Sequence, residues 1–138
     1  MPSGPLVRIL ALDHGEVRCG CAVSDPSGTI ATPLDAVLCP ETRKGLARVM
    51  AVVDEVAAER VVVGLPVTLA GEEGLQARRA RAFAERLRER LRDVPVDLYD
   101  ERLTTRMAEA TQGAANADSR AAAYLLESYL AAHGTSGT

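Results

Sequence analysis

Two apolar runs confine this chain to a narrow set of architectures. Ile9-Leu10-Ala11-Leu12 and Val61-Val62-Val63-Gly64-Leu65 are continuous rather than alternating, too short for typical helices, and closed by turn residues or proline. Runs of this kind are strands buried on both faces, the habit of a sheet with helices above and below it. Between them Leu46, Val49, Met50, Val53 and Ala57 recur at helical spacing, so a helix is expected from Thr42 to about Glu59. Strand, helix, strand in that order makes a parallel crossover.

The first run ends on a carboxylate, Asp13, and Gly15 in the following His14-Gly15-Glu16 supplies a tight turn into a second strand, Val17 to Val23. A third strand is expected over Gly28 to Leu38, where Pro33 belongs at an edge or a bulge, and three strands in succession make an antiparallel meander. The loop Gly64 to Gly74 is rich in glycine but lacks the lysine and hydroxyl residue of a phosphate-binding P-loop, so it reads as a loop beside the site. Ala80, Phe83, Ala84, Leu87 and Leu91 then form the apolar stripe of a second helix, and Val94 to Tyr99 a fifth strand running into Asp100-Glu101-Arg102. Leu103-Thr104-Thr105 can cap a short helix that stops near Gly113, and Asp118-Ser119 opens a last helix carrying Ala122, Leu125, Leu126 and Tyr129.

At 138 residues the chain fits a single domain spanning 1–138, with frayed ends at 1–5 and 134–138. No apolar run approaches the length of a membrane span and Met1 to Pro5 lacks the blocks of a signal peptide, so a soluble cytoplasmic protein is expected. Cys19, Cys21 and Cys39 are odd in number and lack metal-binding spacing, which makes them reduced thiols at strand positions. His14 and His133 are the only imidazoles, too few for a zinc centre, and His14 is expected to be a turn residue facing water, with contact to a phosphate as the alternative. Net charge is −3, yet residues 41–93 carry a surplus of +2, gathered largely in the seven arginines between Arg78 and Arg92. Such a helix is ordinarily a solvated face; here it is also the candidate surface for tracking phosphates.

Three acids occupy element ends: Asp13 after the first strand, Glu101 after the fifth, Asp118 at the start of the last helix. Singly, each has an ordinary role in a turn or helix cap. In an open α/β sheet, however, the carboxyl ends of parallel strands share one edge, where the three could converge. Carboxylates a few ångströms apart repel unless a cation joins them, and Mg²⁺ or Mn²⁺ favours such oxygen ligands. Two such ions can catalyse displacement at phosphorus without histidine or cysteine at the centre.

LDHGEVRCGCAVSD, VVVGLP, DERLTT and DSRAAAYLLESYL resemble, in that order, the successive motifs of the YqgF/RuvX family of pre-16S rRNA nucleases, also called Holliday-junction-resolvase-like proteins. The resemblance spans about Ile9 to Leu130 and implies an α/β, ribonuclease-H-like fold: a five-stranded mixed sheet, three antiparallel strands followed by parallel βαβ units, flanked by helices. It implies a hydrolase, a metal-dependent nuclease acting on the 5′ end of pre-16S rRNA in the cytoplasm. Asp13, Glu101 and Asp118 match its catalytic, metal-holding acids, and Gly15, Arg18 and Gly20 its motif positions. Arg18, Arg102, Arg106 and Arg120 are the candidate phosphate-binding residues, and the small ribosomal subunit a candidate partner.

Departures concern charge. His14, Glu16 and Val17 stand where relatives more often have a small or apolar residue, a threonine and a basic residue, and Thr111 to Ala117 replaces a long basic loop. Precursor rRNA and branched or single-stranded DNA present the same phosphodiester, so a Holliday-junction or other branched-DNA nuclease is the second reading. An actin- or sugar-kinase-like ATP-binding module and a non-catalytic nucleic-acid-binding domain are further ones; the first needs two lobes, for which 138 residues are short. A monomer and a homodimer both fit.

Overall fold

The computed structural model describes residues 8–25, 27, 30–67, 70–100 and 119–134. Along the chain come β1 (Ile9–Asp13), β2 (Arg18–Ser24), β3 (Ala31–Leu38), α1 (Arg43–Glu55), β4 (Arg60–Leu65), α2 (Leu75–Arg90), β5 (Val96–Asp100) and α3 (Arg120–Tyr129). The last turn of α3 widens to π geometry over Leu130–Gly134. The five strands form one sheet in the order β3-β2-β1-β4-β5, antiparallel across β1–β2 and β2–β3 and parallel across β1–β4 and β4–β5. This is the mixed sheet expected, and Pro33 lies on the edge strand β3, where its missing N–H costs no central ladder bond.

Successive side chains of a strand point to opposite faces, and here that alternation builds two cores. Leu10 and Leu12 of β1, Cys19 and Cys21 of β2 and Val61 and Val63 of β4 pack with α1 and α2 around Phe83. Ile9, Ala11, Ala22 and Val62 face the other way, against Leu125, Leu126 and Tyr129 of α3. Continuous apolar runs were thus the trace of two-sided burial. Cys39 departs from expectation: it follows β3, is exposed, and adopts φ 47°, so only Cys19 and Cys21 fill strand positions.

Close backbone approach fixes the start of α1. Thr42 caps it, its Oγ1 accepting from Gly45 N at 2.9 Å and donating to Cys39 O at 2.8 Å. A Cβ on Gly45 would stand 1.9 Å from Cys39 O, so only glycine lets the first turn lie on the end of β3. At the other end α1 stops at Glu55, short of the expected Glu59. Ala57 turns to φ 54°, its N–H bonds Asp54 O at 3.1 Å and the Ala58 N–H bonds Val53 O at 3.0 Å. That is a Schellman closure built on alanine, without the glycine that ordinarily signals it.

Candidate active site

Because β1, β4 and β5 are parallel, their carboxyl ends, Asp13, Leu65 and Asp100, share one edge of the sheet, with Leu12 level with Val63 and Leu65 level with Asp100. Asp13 continues the side of β1 that carries Ile9 and Ala11, and so belongs to the α3 face. It is half-buried and paired with Gly20 of β2. The start of α3 is fastened beside it: the buried Ser119 hydroxyl accepts from Cys21 N at 3.0 Å, and Cys21 lies one register position from the Asp13–Gly20 pair. The same Cys21 borders the irregularity in the β2–β3 ladder. Bulges of this kind are common next to active sites.

Of the expected site residues, Asp13, Arg18 and Arg120 are described. Arg18 is exposed at the opening of β2, across from Leu38. Arg120 is half-buried in the first turn of α3, and its Nε is buried with no hydrogen-bond partner among the described residues. Glu101, Asp118, Arg102 and Arg106, with the expected short helix around them, lie outside the described residues. Their chain neighbours Asp100 and Ser119 stand at the end of β5 and the start of α3, and it is these, with Asp13, that the fold brings to one region. Neither had been singled out, although each adjoins a candidate acid in sequence.

Beneath the sheet the expectation for His14 is overturned. Its side chain is 1% exposed, its ring lies 4.8 Å from that of Phe83, and its Nε2 is 2.9 Å from Glu41 Oε2, though out of line for a hydrogen bond. Being next to Asp13 on a strand end, it points to the α2 side, where it is packed rather than wetted. Glu41 takes two bonds from Arg79, Nη2 to Oε1 at 2.9 Å and Nε to Oε2 at 3.3 Å, while Arg86 Nη1 donates to the Glu41 carbonyl at 3.0 Å. A further Arg79 nitrogen is 3.4 Å from Glu16 Oε1, so the negative charge that Glu16 adds is met by α2. Burial pushes the His14 pKa below its ordinary value despite the opposing pull of Glu41, and the guanidinium of Arg79 holds the Glu41 carboxyl below the carboxylate range. Burial thus favours the neutral form of the His14 imidazole.

These contacts also revise the arginine-rich helix. Arg79 and Arg86 serve Glu41, Arg81 pairs with Glu73, and Arg88 binds Glu85 and the Val96 carbonyl at 3.0 Å. Four of the six arginines of α2 thus bond or pair with other described residues of the protein itself, and of the arginine run only Arg78, Arg90 and, just past the helix, Arg92 make no such bond or pair among the described residues.

The donor set bears on the metal. Among the described residues no three His, Cys, Asp or Glu side chains are grouped to hold an ion. Asp13 offers oxygen on the α3 face, whereas the thiols of Cys19 and Cys21 and the imidazole of His14 lie on the other. Soft and borderline ligands are kept off its face, which fits a hard ion such as Mg²⁺ or Mn²⁺ better than zinc. No helix among the described residues is long and apolar enough to cross a membrane.

Comparison with known proteins gives one family. A chain from Thermus thermophilus, RuvC in complex with Holliday junction substrate, superposes with a TM-score of 0.59 at 20% identity, covering 94% of this chain and 97% of that one. That likeness establishes the ribonuclease-H-like fold. A relative from Nocardia farcinica named "Putative pre-16S rRNA nuclease" is 48% identical over 106 residues, covering 71% of this chain; this chain spans 58% of that relative's length. One of the same name from Thermobifida fusca is 50% identical over 103 residues, with 72% and 62% covered. Another from Sulfurihydrogenibium sp. is 39% identical over 131 residues, with 89% of each chain covered. Residues 7–132 match the family model "RuvX: Holliday junction resolvase", and with all five strands of the sheet inside that match, the chain belongs to the RuvX family.

Proposed function

We propose that this protein is a metal-dependent nuclease that hydrolyses phosphodiester bonds, with precursor 16S rRNA in the cytoplasm as its substrate. Asp13, Glu101 and Asp118 are the groups that would hold Mg²⁺ or Mn²⁺. Bound there, the ion would supply Lewis-acid stabilisation of the negative charge that builds on the phosphoryl oxygens during displacement. Arg18, Arg102, Arg106 and Arg120 position the backbone by its phosphates and leave the bases unread. The observation that carries this reading is the Ser119–Cys21 hydrogen bond: it ties the residue after Asp118 to the register of Asp13, while β5, whose end adjoins Glu101, runs parallel to β1. The names of the relatives point to precursor rRNA. A branched-DNA substrate is the second reading, favoured by the fold shared with a protein solved on a Holliday junction.

The test compares cleavage of a precursor-rRNA 5′ fragment and a four-way DNA junction in Mg²⁺ and in Mn²⁺, with Asp13→Asn as control. Cleavage of the RNA should need the ion. It should fall at least about a hundredfold in Asp13→Asn, since even an outer-shell partner of a metal ligand can be worth that much. A variant that cuts as well as its parent would remove Asp13 from the chemistry, and preference for the junction would hand the role to the second reading.

A further inference from the structure

We propose that His14, Glu41 and Arg79 form a lock under the sheet that fixes the direction of the Asp13 carboxylate above it, so that all three are positioning residues for the reaction. This rests on the nuclease reading only in giving Asp13 a task. His14 directly follows β1 and its ring packs on Phe83 of α2, on the side away from the α3 face that Asp13 continues, so a His14 ring that cannot turn constrains the peptide on which Asp13 stands. The ring is held by packing on Phe83 at 4.8 Å between centroids and abuts Glu41, whose Oε2 is 2.9 Å from Nε2 but outside hydrogen-bond geometry. Glu41 is in turn held by the paired nitrogens of Arg79 and, through its carbonyl, by Arg86.

The grip has a second point. Arg79 also reaches Glu16 at 3.4 Å, so one guanidinium joins Glu16, after Gly15, to Glu41, the carboxylate that lies against His14, before it. The turn from His14 to Glu16 is tight enough that a Cβ on Gly15 would meet Arg18 O at 2.6 Å. His14 and Glu16 therefore both end on the same pair of residues, Glu41 ahead of α1 and Arg79 of α2, and neither needs to face the substrate. Paired guanidinium–carboxylate geometry is what gives such a chain of contacts its rigidity, and lysine at 79 could not reproduce it.

The experiment uses the full chain and three readouts: the crystal structure of the metal-free protein, Mn²⁺ affinity by electron paramagnetic resonance, and kcat and KM on the rRNA fragment. In His14→Ala the Asp13 side chain should occupy more than one rotamer, and Mn²⁺ affinity and kcat should each drop about tenfold, the scale of losing an outer-shell partner. KM should stay within about twofold, because the phosphate-binding arginines are untouched. Arg79→Lys should behave similarly, and His14→Ala with Arg79→Ala should lose little more than either alone, since both act through one contact chain. Val49→Ala, in the core beneath α1, is the control for mere destabilisation and should lower the melting temperature while keeping Mn²⁺ affinity and kcat. A single, unchanged Asp13 rotamer with unaltered Mn²⁺ affinity in His14→Ala would overturn the lock. If the parent protein shows no cleavage that Asp13→Asn removes, the nuclease reading fails instead, and the rotamer still decides on the lock.

Discussion

His14 shows how much one side chain can carry that spacing alone does not announce. Its folded-state pKa is depressed chiefly by burial; Glu41 and Asp13 pull it up and Arg79 pushes it down. A base that is neutral when folded and protonated when unfolded stabilises the native state fully only above its unfolded pKa. Its contribution is lost as pH falls from about 6.5 towards the lower folded value. Glu41, also depressed, acts in the same sense at lower pH: its stabilisation is present above the ordinary carboxylate range and disappears as pH drops through the folded value. Thermal unfolding should therefore show a midpoint that declines below pH 6.5, with that first decline absent in His14→Gln; a midpoint flat from pH 7 to 5 would contradict a buried neutral imidazole. None of this was legible in the sequence, because Glu41, Arg79 and Phe83 are distant along the chain and a histidine in a glycine turn normally meets water.

At the scale of elements the sequence was a better guide where burial was two-sided. β1 and β4 were visible because nothing polar interrupts Ile9 to Leu12 or Val61 to Val63. The end of α1 was not, since Ala57 closes the helix in a left-handed conformation with no glycine to mark it. That alanine carries roughly 1 kcal/mol or more of steric cost relative to glycine. Ala57→Gly, at an exposed position, should raise stability by about 0.5–1 kcal/mol in urea unfolding, and a loss would mean the turn is held by something other than its backbone bonds. The start of α3 makes the opposite prediction. Ser119→Ala strands the buried amide of Cys21, which costs about 1–3 kcal/mol, and it should also depress cleavage by loosening the residue that follows Asp118. Unchanged stability would show that the amide has found another acceptor.

For the whole molecule the topology was foreseen and the charge pattern was not. The order β3-β2-β1-β4-β5 follows from three strands joined by short turns and two joined through helices. The arginine-rich face was harder to judge from composition, because Arg79, Arg81, Arg86 and Arg88 turned out to be partners of the protein's own acids and carbonyls. If this chain of net charge −3 binds a polyanion, it does so with few cations. If Arg18, Arg102, Arg106 and Arg120 neutralise one phosphate each, the logarithm of single-strand affinity should fall with the logarithm of salt at a slope of about −3, and Arg102→Ala should flatten it by about 0.7. A slope near zero would leave those arginines without their role. The hydrogen bond from Cys21 to Ser119 spans 98 residues of sequence. During synthesis, then, the start of α3 cannot be fastened to β2 until that late serine has emerged, so the residue after Asp118 reaches the register of Asp13 only once α3 has been made.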